Sequence, residues 1–155
     1  MGKTLSLYRA FSRIPGGKAL FSRVLTFRAP YFSTIHPLVL ELRAGLCRVR
    51  IRDRRSVRNH LGTIHAGAMC TLSELTGGLA VDAAISGSMR WIPKKMTVEY
   101  LKKAKGSLVG TCALDPAILA PGDVGIGVEI KDASSDAVLK ATILFYISRR
   151  PPVRQ

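Results

Sequence analysis

Between Ile64 and Ile85 the chain has no Pro, and His65, Glu74 and Asp82 are its only acidic or basic side chains. Leu72, Leu75 and Leu79, with many Ala and Gly, fill the remaining positions. A helix that is apolar nearly all round has to be buried, so the rest of the chain must supply a surface that wraps it. The flanking segments have the pattern for this. Leu38 to Leu42 and Cys47 to Arg52 are short strands separated by a turn at Ala44-Gly45, and in the second strand apolar residues alternate with Arg48, Arg50 and Arg52. That period of two marks a half-buried strand with a cationic outer face. Lys95 to Leu101, Ser107 to Leu114, Gly125 to Lys131 and Val138 to Ile147 also read as strands. Turn clusters separate them and no helical pattern intervenes, which predicts an antiparallel meander. The expected class is α+β, with one long helix laid on and partly wrapped by a curved antiparallel sheet.

A chain of 155 residues suits a single domain. The reading divides it into a basic N-terminal helical extension (1–34), a core (35–148) and a flexible tail (149–155). In the extension, Lys3, Arg9, Arg13, Lys18, Arg23 and Arg28 interleave with apolar residues, giving two short amphipathic helices broken at Pro15-Gly16-Gly17. These helices are expected to pack on the domain, with peripheral membrane contact as the alternative use of their charge.

The formal net charge is +14. Most of it lies in the first sixty residues, where Glu41 and Asp53 are the only acids. Such an excess points to a polyanion, a membrane surface or a phosphate-rich ligand. Aromatic residues make up only 6% and do not interleave with basic ones on a strand, and no helix-turn-helix or zinc pattern is present, so no specific nucleic-acid binding is expected. Cys47, Cys70 and Cys112 are odd in number and widely spaced. They read as core thiols in a reducing, cytoplasmic compartment rather than as a disulfide framework or a metal site. Neither a metal nor a cofactor is expected.

The chemistry concentrates in Asn59-His60-Leu61-Gly62-Thr63-Ile64-His65-Ala66-Gly67, followed by Glu74 inside the apolar helix. A carboxylate buried there is costly unless it is paired, protonated or retained for function, and burial raises a carboxyl pKa toward the range useful to a general base. The loop leads into a helix N-terminus, where free N–H groups favour an oxyanion. His65 and Glu74 are nine residues apart, about 900° of helical rotation and about 13.5 Å of rise, so one straight helix holds them on opposite sides. If both serve one site, a second copy of the chain must complete it, which predicts a homodimer with shared sites.

With the run Met96-Thr97-Val98-Glu99-Tyr100-Leu101-Lys102-Lys103-Ala104-Lys105-Gly106, this segment resembles the hotdog-fold acyl-CoA thioesterases of the phenylacetate-degradation and 4-hydroxybenzoyl-CoA type. The resemblance implies a hotdog fold and hydrolysis of an acyl-CoA thioester by a homodimer or a tetramer built from it, in lipid metabolism. It implies that Glu74 is the nucleophile or the general base for water. It also implies that the Ala66 and Gly67 N–H groups hold the carbonyl oxygen, that Asn59 orients the reacting groups and that His65 positions the loop. Lys102, Lys103 and Lys105 would lie near CoA phosphates, with the Arg48-Arg50-Arg52 face as a further source of attraction. Two departures are chemical: Ala66 stands where relatives commonly have Gly, and Pro93 where some have Ser or Thr. They motivate a second reading as a non-catalytic acyl-CoA-binding protein. A hydroxyacyl-thioester dehydratase is a third.

Overall fold

The structure, a computed structural model, describes residues 2–151. Two helices open the chain, α1 (Lys3–Ser12) and α2 (Gly17–Arg28), and a 3-10 turn over Pro30–Ile35 leads into strands β1 (Leu38–Arg43) and β2 (Leu46–Ile51). The long helix α3 (Ala66–Ala84) follows, then β3 (Met89–Tyr100), β4 (Leu108–Ala113), β5 (Gly122–Lys131) and β6 (Ala137–Arg149). The strands form one antiparallel sheet in the order β1-β2-β4-β5-β6-β3. This is the wrapped-helix arrangement expected of a hotdog fold.

One part of the expected meander is corrected. β3 does not neighbour β4; it crosses to the far edge and pairs with β6 along its whole length. It also starts earlier than Lys95, at Met89. Pro93 argues against a strand because it cannot donate to a ladder, but an edge strand tolerates it, and here the register shifts between Pro93 and Lys95. The core likewise runs past 148. β6 extends through Arg149, and Arg150 donates to the carbonyls of Ser88 and Met89, so the start of the expected flexible tail is tied to the sheet. The remainder of that tail, 152–155, lies outside the described residues.

Burial follows the alternation read from β2. Cys47, Val49 and Ile51 are buried, whereas Arg48 and Arg52 are exposed and Arg50 is half-buried. Helix α3 sits close against the sheet because of its small residues; a Cβ at Gly77 would lie 2.9 Å from Ile143 Cδ1 and 3.2 Å from Val128 Cγ2. The buried hydroxyls of Thr71, Ser73 and Thr76 donate to the carbonyls four residues back, so none is left unsatisfied.

The N-terminal helices pack on the domain, as expected. Leu5, Tyr8 and Phe21 are buried, with the Tyr8 and Phe21 rings edge to face at 5.1 Å. They also close one edge of the sheet. The β1 backbone donates from Val39 N–H to Ser22 Oγ, and its Leu40 carbonyl accepts from Tyr8 Oη and Lys18 Nζ. Among the described residues nothing comparable covers the outer edge of β3. No helix of the described residues is long and apolar enough to cross a membrane.

Candidate active site

The Asn59 loop is built by its own side chain. Asn59 Oδ1 accepts from the N–H groups of Leu61 and Thr63, its Nδ2 donates to Thr63 Oγ1 at 2.9 Å, and the Asn59 N–H donates to the Thr63 carbonyl. Asn59 is therefore an organiser of the loop, with its polar atoms already engaged. Two backbone bonds pin the exit of the loop, from Ile64 N–H to Ala104 O and from His65 N–H to Val57 O.

His65 is the N-cap of α3, extended at φ −64° and ψ 138°. Its Nδ1 accepts the Gly67 N–H at 2.9 Å, which leaves the ring proton of the neutral tautomer on Nε2. Gly67 is thus not a free oxyanion donor in this protomer. The Ala66 N–H, at the first helical position, has no partner among the described residues. Ala66 lines a cavity of about 270 Å³ whose walls also include Asn59, Met69, Tyr100, Lys102 and Lys103. Tyr100 Oη lies 3.1 Å from Cys70 Sγ, and this contact is the main reason its pKa is raised.

Glu74 faces elsewhere. The expectation of burial is corrected: Glu74 is exposed, because the sheet wraps α3 on one side only and this turn of the helix lies beside the open β3 edge. The carboxylate lines a largely apolar cavity of about 300 Å³ with Leu25, Phe32, Leu79, Trp91 and a second carboxylate, Asp82. The Trp91 ring packs edge to face on Phe145, with centroids 5.2 Å apart, and lies over Gly78, where a Cβ would meet it at 3.0 Å. A neighbouring cavity of about 460 Å³ shares Thr4, Leu25, Ala29 and Asp82 with the first, so space continues from Glu74 under the N-terminal helices, its walls mixing Leu7, Phe21 and Val24 with Lys3, Arg28 and Arg150. The sequence reading missed Leu25, Phe32 and Trp91. Only the uniqueness of Trp91, the sole Trp, marked any of them in advance.

The two halves of the expected site therefore open into separate cavities with no common wall residue. The lysines also divide. Lys102 Nζ is paired with Asp136 and lies 4.0 Å from Asp132, whereas Lys103 and Lys105 are exposed and form no ion pair among the described residues. Nearby, the Arg58 Nε donates to Asp53 Oδ1 at 2.6 Å and holds that carboxyl below the usual range, with help from the Gly106 N–H.

Residues 17–147 match a family model described as a domain of unknown function, DUF4442. No curated protein matches the chain significantly. A crystal structure solved as a genomics target is 35% identical and superposes at a TM-score of 0.85 over 95% of this chain and 99% of its own. A Pseudomonas aeruginosa protein of unknown function, named a probable thioesterase, is 21% identical with a TM-score of 0.77, over 88% of this chain and 97% of its own. A Haemophilus influenzae thioesterase is 10% identical with a TM-score of 0.71, over 81% and 87%. The fold is therefore the expected hotdog fold. The matched region begins at the first residue of α2.

Proposed function

The chain belongs to the DUF4442 family, and on that premise we propose that it hydrolyses acyl-CoA thioesters as an antiparallel homodimer with sites shared between protomers. The observation that carries this reading is the course of β3. Its first half, at Trp91 and Pro93, walls the Glu74 cavity, and its far end, at Tyr100 and Leu101, walls the Ala66 cavity. Within one protomer roughly 30 Å of strand separates these ends. Pairing two β3 edges antiparallel places the first end of one beside the second end of the other, so the Glu74 of one copy meets the Ala66 N–H of its partner.

In such a composite site the acyl chain occupies the apolar cavity beside Glu74, against Leu25, Phe32 and Trp91, and Lys103 and Lys105 attract the CoA phosphates. The Glu74 carboxylate takes a proton from water, and the water oxygen attacks the thioester carbon. The charge that develops on the carbonyl oxygen is met by the Ala66 N–H and the positive end of α3. The C–S bond then breaks, and the thiolate of CoA leaves and is protonated. Direct attack by Glu74 is the variant of this scheme; single turnover in ¹⁸O-water distinguishes them, because only direct attack puts label into the carboxylate of Glu74.

A second reading, binding without turnover, is favoured by the engagement of the Gly67 N–H with His65 and of Asn59 Oδ1 and Nδ2 within its own loop. Incubation with acyl-CoAs of graded chain length and a thiol reagent decides between them. Thiol release that falls by about 100- to 10,000-fold in Glu74→Ala supports hydrolysis. Tight binding with no release above that of the variant supports the second reading.

A further inference from the structure

Away from the Glu74 and Ala66 cavities lies another, of about 430 Å³, where α2 and the Pro30–Ile35 turn meet the outer face of β2. Its walls carry Arg23, Arg50, Arg52, Arg54 and His36, and no Asp or Glu. The alternation of β2 continues past its end, so Arg50, Arg52 and Arg54 project to one side of the chain. Two of these guanidinium groups are unusually placed: the Nε atoms of Arg50 and Arg54 are buried and have no hydrogen-bond partner. The nearby acids do not relieve them, since Glu41 pairs with Arg43 and Asp53 with Arg58. His36 adopts the left-handed region at φ 44°, immediately before Pro37, a conformation that non-Gly residues rarely hold without support from their surroundings.

Buried donors on permanently charged groups are costly when unpaired, and an Arg fork matches the geometry of phosphate oxygens. We propose that this arginine cavity is a binding site for a phosphate group, held by Arg50 and Arg54 inside and by Arg23 and Arg52 at the mouth. It shares no wall residue with the Glu74 or Ala66 cavity, so it stands whether or not the protein turns over thioesters. It also gives a use to the basic excess of the first sixty residues that the lysines near Ala104 do not provide.

The phosphate could be carried by a soluble ester or by a lipid headgroup. The second source has its own footing, because Phe27 is 88% exposed and Tyr31 70% exposed beside the cavity-lining residues of α2 and the following turn.

The test is a titration of the full chain with inorganic phosphate at low millimolar concentration, followed by calorimetry and by thermal melting against an equal ionic strength of chloride. Wild type and Lys140→Gln, an exposed cation on β6 outside the cavity, should bind and melt higher with phosphate. The Arg50→Gln/Arg54→Gln variant should lose at least about tenfold in affinity and its phosphate-dependent shift. Should the double variant fail to fold, Arg23→Gln at the rim should still weaken binding. Co-sedimentation with phosphatidylglycerol vesicles, abolished by Arg50→Gln/Arg54→Gln and competed by phosphate, assigns the group to a lipid. Phosphate binding with no difference between phosphatidylglycerol and phosphatidylcholine vesicles assigns it to a soluble ester. An equal response to phosphate in wild type and in the cavity variants, or no response beyond that to chloride, overturns the proposal.

Discussion

The Nδ1 atom of His65 accepts the N–H of Gly67 at 2.9 Å and so caps helix α3 with an imidazole. The helix N-terminus beside the candidate site is thereby ordered, with the Ala66 N–H unpartnered among the described residues and Ala66 lining the cavity. Replacement of His65 by Ala should destabilise the domain by about 0.5–2 kcal/mol, the usual loss for a missing N-cap acceptor. His65→Asn, whose side chain can accept the same bond, should recover most of that difference in a denaturant titration.

Burial should govern the cysteines. Cys47 and Cys112 face each other across β2 and β4 in the core, and burial pushes the Cys112 thiol up to about 12 and raises that of Cys47 as well. Thiolate, the reactive form, is therefore scarce at both. An aromatic disulfide reagent at pH 8 should modify Cys70 in the native protein and reach Cys47 and Cys112 only as the chain unfolds, which peptide mapping of the labelled sites will check.

Acid should weaken one tie between the β2 end and the Lys105 turn. The folded Asp53 carboxyl is held below its ordinary value chiefly by the Arg58 hydrogen bond. Its contribution to stability is therefore present above the unfolded value of about 3.9 and is lost as pH falls through the lower folded value. Asp53→Asn should melt below wild type at pH 7, and the gap between them should narrow progressively as the melts are taken below the unfolded value of about 3.9.

The length of the acyl chain should respond to α2. Leu25 walls both the Glu74 cavity and its continuation. Leu25→Trp should fill the passage and lower turnover of long acyl-CoAs relative to short ones by about tenfold, measured as the ratio of kcat/KM across a chain-length series.

The wrapped helix was legible because α3 has an apolar circumference and β2 alternates Val and Arg, two periods that short-range chemistry alone dictates. The Asn59 to Ala66 element was legible for a similar reason, since an Asn loop and a helix cap are local structures. Long-range placement was not. Nothing within Met89–Tyr100 reports that it pairs with β6, and Pro93 conceals its first half until the edge position and the register shift are known. Glu74 was expected to be buried because its helix is apolar around it; exposure follows from where the sheet stops, which no local pattern encodes. The pairing of Lys102 was not legible either, because Asp132 and Asp136, thirty or more positions away, are brought to it only by the β5–β6 turn.

The central claim is that Glu74 of one protomer works with the Ala66 N–H of the other, and subunit complementation tests it most directly. Ala66 is the first helical residue, where Pro is well tolerated, so Ala66→Pro should remove the N–H while keeping the fold. Ala66→Pro and Glu74→Ala homodimers should each be inactive. Random mixing of the two by co-expression should restore about a quarter of wild-type activity, because half of the dimers then carry one intact composite site. Mixed dimers that form and stay as inactive as both parents would contradict the shared site.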